Sequence, residues 1–280
     1  MSGLAGSGSS PVPMRRVEWL LLNGDARLSI IDHRLASVSR ILAFASGKGG
    51  VGKSTCATLA ALVLARQGKA TGLLDLDFHG ASDHLILGID PSPPEEEGGI
   101  LPLAAPFGLR FMGIAPFSGE HGLALRGDAV TNAIRELLAV VIWGRLDVLV
   151  IDLPPGIGEA ILDLVSALKR CEVILVSQPS TLSLHVTARL LEVLRRASVE
   201  VLGYVLNMDG REEGGSSPRA QAPRAKSGPP ADERSPLADL PALGRIPYSP
   251  DHETCLGAPE LLLAGAPAAA IETILEGLLG

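Results

Sequence analysis

Short apolar runs alternate with longer helix-forming stretches along most of the chain after residue 40. The apolar runs predict buried strands at Ile41–Ala45, Ala70–Asp75, Leu109–Ile114, Asp147–Asp152, Glu172–Ser177, Val199–Asn207 and Ala242–Ile246. The longer stretches predict helices at Ser54–Gln67, Ala129–Ile142, Glu159–Leu168, Leu182–Arg196 and Ala268–Leu279. Strands that alternate with helices of this length form right-handed βαβ units. We therefore predict an α/β fold with a doubly wound, mostly parallel sheet and helices on both faces.

Segments without this alternation lie at the N-terminus and before the last predicted strand. Residues 1–13 are rich in Gly, Ser and Pro, which predicts a flexible N-terminal segment. Residues 14–40 are predicted to form a short preface to the core. Residues 210–236 have a similar composition, which predicts a disordered insertion. Because this insertion lies between two predicted strands, we expect one domain over residues 41–280.

The composition changes the picture in two ways. Hydrophobic residues make up 46% of the 280 residues and aromatic residues only 3%. The core must therefore consist of Ala, Leu, Val and Ile, which is typical of parallel strands covered by helices. A formal net charge of −7 argues against nucleic acid as a partner, because general nucleic-acid binders need a basic surface.

The sequence contains no recognisable targeting signal, and its cysteines are scattered. Both observations predict a cytoplasmic protein without a membrane partner. The apolar run Trp19–Leu22 is too short for the hydrophobic region of a signal peptide. The C-terminal run Leu261–Ile271 contains Pro267 and is shorter than the roughly 20 residues that span a bilayer. The three cysteines are scattered along the chain, as expected in a reducing compartment.

A glycine-rich loop joins the first predicted strand to the first predicted helix. Residues 46–55 read Ser-Gly-Lys-Gly-Gly-Val-Gly-Lys-Ser-Thr and contain the P-loop pattern, whose backbone N–H groups surround the phosphates of a nucleotide. Lys53 would reach the β- and γ-phosphates, Ser54 would ligate Mg²⁺, and Thr55 would donate to the α-phosphate. The other predicted nucleotide-binding residues of the loop are Gly47, Gly49, Gly50, Val51 and Gly52. An incidental glycine-rich turn is the alternative, but the flanking strand and helix favour ATP and Mg²⁺ as cofactors.

Two predicted strands end in aspartates that would support this loop. Asp152 ends an apolar strand in the Walker B arrangement, which holds Mg²⁺ through a water. Gly156, in the turn that follows, would contact the γ-phosphate through its N–H. Asp77 is placed to orient the attacking water and Asp75 to lie nearer the metal, although aspartates at strand ends also cap helices and form turns. The predicted metal ligands are Ser54, Asp75 and Asp152, and the predicted catalytic residues include Lys53 and Asp77.

The additional lysine in the loop, Lys48, makes Gly47–Thr55 resemble the deviant Walker A sequence of the MinD, ParA and nitrogenase iron protein class. Further stretches resemble the Mrp/ApbC family of iron–sulfur cluster carrier ATPases, and they are Asp75–Ser82, Leu125–Gly127, Asp147–Glu159 and Val201–Met208. The resemblance covers about residues 40–275. It implies a homodimer that holds ATP between its subunits, with a catalytic Lys48 reaching across the interface. It also implies that Asn207 contacts the adenine. A solvated loop lysine and a turn-forming asparagine are the alternatives.

One family feature is missing from the sequence. In the carriers a Cys-x-x-Cys pair follows the stretch matched here by Asn207, and two subunits together ligate a [4Fe–4S] cluster. No such pair occurs here, so we expect no cluster. Cys255, with His252 three residues before it, is the nearest candidate ligand, but a structural role is the default. Cys56 and Cys171 are expected to be small buried hydrophobes, and His79 and His84 are expected to have surface or capping roles.

The resemblance favours a protein that binds and slowly hydrolyses Mg-ATP and acts in iron–sulfur cluster or metalloprotein assembly, with an apo-metalloprotein as client. A MinD/ParA-type positioning ATPase is one alternative. Its membrane-binding version is disfavoured by Glu272 and Glu276 in the C-terminal helix, which would be repelled by anionic lipids. A nucleotide-gated scaffold is another alternative, with a partner recruited through the basic residues Arg211, Arg219, Arg224, Lys226 and Arg234.

Overall fold

The structure, a computed structural model, describes residues 25–78, 80–118, 128–210 and 235–279. Several predictions fall outside these ranges. They concern the glycine-rich N-terminal segment 1–13, His79, the stretch Leu125–Gly127, and residues 211–234 of the expected insertion.

The strands and helices alternate as the sequence pattern predicts. The strands are β1 Val38–Ala45, β2 Thr71–Asp75, β3 Leu103–Ala104, β4 Arg110–Gly113, β5 Leu146–Asp152, β6 Cys171–Ser177, β7 Glu200–Asp209 and β8 Ala242–Pro247. The helices are α1 Arg27–Arg34, α2 Lys53–Arg66, α3 Asp83–Leu87, α4 Ala115–Ser118, α5 Asp128–Val140, α6 Glu159–Ala167, α7 Thr181–Arg196, α8 Pro259–Ala264 and α9 Ala266–Leu279. Short 3₁₀ helices occupy Pro106–Gly108 and Pro250–Cys255.

The described strands form one eight-stranded sheet in the order β3-β4-β2-β5-β1-β6-β7-β8. All neighbouring strands are parallel except β3 and β4, which are antiparallel. The doubly wound α/β prediction is therefore confirmed. The carboxyl ends of β1, β2 and β5 lie side by side, with Asp75 aligned to Asp152 and Asp152 aligned to Phe44. The P-loop and both aspartate-bearing turns consequently lie together at the carboxyl ends of the parallel strands.

Alternate residues of the central strands pack against opposite helical layers, because successive side chains of a strand point to opposite faces. Ile41, Ala43 and Ala45 of β1 belong to the core shared with α1, α5, α6 and α7. Leu42 and Phe44 belong to the core shared with α2, α8 and α9. With both faces covered, the central strands are apolar throughout, which explains their unbroken hydrophobic runs.

The packed part of the chain begins earlier than the predicted boundary at residue 41. Strand β1 starts at Val38, and α1 precedes it within the expected preface. Helix α1 packs against α5, and Ile31 of α1 is fully buried. Just before α1, Asp25 accepts hydrogen bonds from Arg27 and from Arg135 of α5. The sequence pattern misses α1 because only Ile31 of this helix is fully buried.

The C-terminal part also differs in detail from the prediction. The apolar run after residue 260 forms two helices, α8 and α9, which meet at Gly265 because Pro267 lies in the first turn of α9. Arg40 of β1 donates a hydrogen bond to the Leu278 carbonyl near the end of α9. The C-terminal helix also packs against β8 and α2.

Candidate nucleotide-binding site

The P-loop runs from β1 into α2 with the backbone shape that its glycines permit. Gly50 and Gly52 have φ values of 75° and 80°, in the left-handed region where residues with a Cβ are strained. A Cβ on Gly52 would lie 2.1 Å from Nδ2 of Asn207, and one on Gly47 would lie 2.8 Å from Val186. Gly49 and Gly50 have open space at the same position. The loop is thus fixed by packing at both ends and accessible in its middle.

Lys53 and Ser54 both bond to the aspartate at the end of β5. The Lys53 ammonium lies 2.6 Å from Oδ1 of Asp152, and the Ser54 hydroxyl donates to Oδ2 at 2.7 Å. Lys53 is only 5% exposed and Asp152 is fully buried. The structure therefore brings together the predicted phosphate-binding lysine and two predicted Mg²⁺ ligands. Ser54 bonds to Asp152 directly, whereas the sequence predicted that Asp152 holds the metal through a water.

Asp75 lies beside Asp152 at the end of β2 and is held by backbone donors. Its Oδ1 accepts from the N–H of Asp77 at 2.9 Å, and its Oδ2 accepts from the N–H groups of Ser82 and Asp83. Burial, with the charge of Asp152 as the second cause, raises the pKa of Asp75 to about 7. Burial also raises the pKa of Asp152, and Lys53 opposes that increase.

A third aspartate, Asp83, joins this pair and was missed by the sequence reasoning. It opens α3 and is fully buried, and neither of its carboxylate oxygens has a hydrogen bond of ordinary geometry in the described part of the chain. One oxygen from each of Asp75, Asp83 and Asp152 can be chosen so that the three lie within 4.8 Å of one another. Burial and the two neighbouring carboxylates raise the pKa of Asp83 well above its usual range. The sequence did contain one indication of this third carboxylate: Asp83 lies eight residues after Asp75 and precedes an apolar turn.

Asp77 and Gly156 occupy the predicted turns but have partners within the chain. Oδ1 of Asp77 accepts a hydrogen bond from the Gly80 N–H at 3.0 Å. The Gly156 N–H, predicted to contact the γ-phosphate, donates to the Ser46 carbonyl at 2.9 Å. Contact with a phosphate therefore requires that this backbone bond be exchanged. Gly156 has a φ of 107° and open space where a Cβ would lie, which allow such a movement.

Lys48 points towards Gln178 at the end of β6. Its ammonium lies 3.4 Å from Oε1 of Gln178, whose Nε2 donates to the Gly50 carbonyl. Val51, in contrast, is buried under the loop. Within a single chain Lys48 is thus half-buried at the outer rim of the P-loop.

A cavity of about 330 Å³ adjoins the first turns of α2. Its lining includes Thr55, Cys56, Asn207, Tyr248 and His252. The Asn207 side chain is buried and donates from Nδ2 to the Val51 carbonyl at 2.9 Å. This volume is within the range of small-ligand sites, and the cavity begins where the phosphate loop ends. Asn207, predicted to contact the base, therefore lies at the wall of the cavity and braces the loop.

The cysteines and the C-terminal histidine do not form a metal cluster among the described residues, where the only group of three converging ligands is Asp75, Asp83 and Asp152. Cys56 is buried in α2, and burial raises the pKa of its thiol to about 12. Cys171 is also buried, and Cys255 is half-buried. Burial lowers the pKa of His252, whose Nε2 is enclosed without a hydrogen bond in the described structure.

None of the helices in the described ranges combines the length and the apolar character needed to cross a bilayer.

Comparison with known sequences identifies relatives over most of the chain. Residues 37–279 match the sequence model of the ParA family described as NUBPL iron-transfer P-loop NTPases. The iron–sulfur cluster carrier protein of Mycobacterium bovis is 34% identical over 242 residues, which are 82% of this chain and 61% of the relative. The protein of the same name from Bacillus subtilis is 36% identical over 222 residues, covering 79% of this chain and 62% of the relative. The chain thus spans about three fifths of the length of these relatives.

Solved structures share the same architecture. A nucleotide-binding protein from Archaeoglobus fulgidus in complex with ADP superposes with a TM-score of 0.71 and 29% identity, over 86% of this chain and 95% of that one. The cell division ATPase MinD of Pyrococcus furiosus superposes with a TM-score of 0.63 and 25% identity, over 86% and 98% of the two chains.

Proposed function

The chain belongs to the ParA family of NUBPL-type iron-transfer P-loop NTPases, and we propose that it binds Mg-ATP, hydrolyses it slowly and acts in iron–sulfur cluster or metalloprotein assembly. The observation that carries the nucleotide part is the contact of Lys53 and Ser54 with Asp152 beneath the P-loop. The names of the relatives from Mycobacterium bovis and Bacillus subtilis support the assembly part.

The residues of the loop would divide the work on the nucleotide. ATP supplies the phosphoanhydride bond, and Lys53 places a positive charge against its phosphate oxygens. For this the ammonium must leave Asp152, which then becomes available to Mg²⁺ together with Ser54 and Asp75. The backbone N–H groups from Gly47 to Thr55 surround the phosphates, aided by the positive end of the α2 dipole.

The remaining site residues would act on the water and the base. Asp77 would orient the attacking water, and Gly156 would contact the γ-phosphate after releasing the Ser46 carbonyl. Asn207 would contact the base from the cavity beside the loop. A homodimer would bring Lys48 to the nucleotide of its partner, and an apo-metalloprotein would be the client. We expect these events in the cytoplasm, because the three cysteines are not arranged for disulfides.

Lys53→Ala tests the nucleotide part, with Lys69→Ala as the control because Lys69 is an exposed lysine in the loop between α2 and β2. Charged hydrogen bonds contribute more than neutral ones, so calorimetry should show at least a tenfold loss of Mg-ATP affinity, about 1.4 kcal/mol. The control should bind like the parent. Equal affinity of the parent and Lys53→Ala would refute the assignment of the P-loop.

The assembly part can be tested in a Bacillus subtilis strain that lacks its iron–sulfur cluster carrier protein. The parent chain and Lys69→Ala should restore the activity of cluster-dependent enzymes in extracts, and Lys53→Ala should not. If Mg-ATP binds with the expected dependence on Lys53 but no variant restores these activities, the nucleotide assignment stands and the assembly role is wrong.

A further inference from the structure

A buried group of three carboxyl groups lies behind the P-loop and would contain more negative charge than its partners neutralise if all three were ionised. Asp75, Asp83 and Asp152 are 1%, 0% and 0% exposed. Lys53 is the cation paired with this group in the described part of the chain, through Asp152. Three carboxylates and one ammonium give a formal charge of −2 when all are ionised. Buried charges of this kind are normally paired or bound to a metal.

The three side chains differ in how their oxygens are used. Both oxygens of Asp152 accept one hydrogen bond each, from Lys53 and Ser54. Asp75 accepts three backbone hydrogen bonds, of which only one is to Oδ1. Asp83 is fully buried beside the other two, and the Thr58 hydroxyl lies close to its carboxyl group, but neither oxygen accepts a hydrogen bond of ordinary geometry in the described structure. A carboxylate offers about four lone-pair sites, so each residue retains at least one for another ligand.

The spacing of the oxygens suits a single ion. One oxygen from each residue can be chosen so that all three lie within 4.8 Å of one another. Oxygens on opposite sides of one ion lie about 4.2 Å apart for Mg²⁺ and up to about 5 Å apart for Ca²⁺, from their usual ligand distances. Carboxylate oxygens are the ligands preferred by such hard cations. A small rotation of the side chains would therefore place all three carboxylates on one divalent ion.

We propose that Asp75, Asp83 and Asp152 form a binding site for one hard divalent cation, of the Mg²⁺ or Mn²⁺ class, that fills in the absence of nucleotide. The site rests on the proposed nucleotide function only in sharing Asp75 and Asp152 with the expected Mg-ATP site. Ser54 serves that site, whereas Asp83 serves the new one. An ion bound to Asp152 also competes with Lys53 for this carboxylate, and so releases the ammonium towards the phosphate loop.

Electron paramagnetic resonance of Mn²⁺ tests the proposal directly, with metal-free and nucleotide-free protein at pH 7.5. The signal of hydrated Mn²⁺ should decrease on titration into the parent, with about one ion bound per chain. Asp83→Asn should weaken Mn²⁺ binding at least tenfold. Asp90→Asn is the matched control, because Asp90 is an exposed aspartate seven residues further along the same segment, and it should bind Mn²⁺ like the parent.

Each contrary result has a defined meaning. A parent that binds no Mn²⁺ without nucleotide overturns the proposal, even if Asp83→Asn does not fold. Equal binding by the parent and Asp83→Asn, or an equal loss in Asp90→Asn, overturns it as well. Mg-ATP affinity measured on the same preparation separates the two hypotheses: a parent that binds Mg-ATP but no Mn²⁺ alone refutes the cation site and leaves the nucleotide function standing.

Discussion

The contact between Gly52 and Asn207 gives a quantitative test of how the P-loop is held. An alanine at Gly52 would keep a φ of 80°, which costs roughly 1–2 kcal/mol for a residue with a Cβ. Its Cβ would also meet Nδ2 of Asn207 at 2.1 Å and displace the amide from the Val51 carbonyl. Loss of that buried hydrogen bond adds about 1–2 kcal/mol. Gly52→Ala should therefore lower the free energy of unfolding by about 2–4 kcal/mol.

Gly50→Ala is the matched control for this prediction. Gly50 has a φ of 75° but open space where a Cβ would lie, so the backbone term remains and the steric term is absent. Its cost should be about 1–2 kcal/mol. Urea unfolding of both variants, in the absence of ATP, measures the difference.

A double-mutant cycle identifies the cause. Asn207→Ala removes the side chain with which the new Cβ collides, so it should cost less in the Gly52→Ala background than in the parent, by at least about 1 kcal/mol. If Gly52→Ala is no less stable than Gly50→Ala, or if the two changes add without interaction, Asn207 does not brace the loop.

Three further predictions concern protonation, turnover and the cysteine. In protein free of metal and nucleotide, the contribution of Asp75 to stability against urea should fall as the pH rises from about 4 to about 7, because the pKa of Asp75 is raised from 3.8 to about 7 and the folded state binds the additional proton. Asp75→Asn should reduce this slope, and an unchanged slope would contradict the assignment. Asp77→Ala should lower ATP turnover but retain ATP binding, since orientation of water acts mainly in the transition state; equal losses of both would indicate a structural role. Anaerobic reconstitution with iron and sulfide should leave no stable [4Fe–4S] cluster, and Cys255→Ser should leave ATP turnover unchanged; a cluster absorbance that depends on Cys255 would show the opposite.

Features that depend on neighbouring residues in the chain were predictable from the sequence. Each predicted strand lies within three residues of an observed one at both ends, because apolar runs and turn residues are local signals. The proximity of Lys53, Ser54 and Asp152 was also predictable, since the carboxyl ends of parallel strands lie side by side at the same end of the sheet.

Features that depend on contacts between distant segments were not predictable in this way. Asp83 is eight residues from Asp75 and opens a helix of only five residues, so its burial beside Asp152 depends on how that turn folds back onto the sheet. Gly88 is another example, because a Cβ there would lie 2.2 Å from the carbonyl oxygen of Gly257. The loop that contains Gly257, beside the cavity, therefore packs on the segment that contains Asp83, although the two glycines are 169 positions apart in the sequence.

The two outer strands of the described sheet limit how copies of the chain can associate. At one edge β3 contains only two residues, about 7 Å of backbone available for pairing with another strand. At the other edge β8 packs against α9 and ends at Pro247, which has no N–H to donate. Strand addition at the β3 edge would thus gain few hydrogen bonds, which protects that edge against aggregation. We expect a homodimer to be formed by side chains and loops, such as those at the carboxyl ends of the strands, and not through β3.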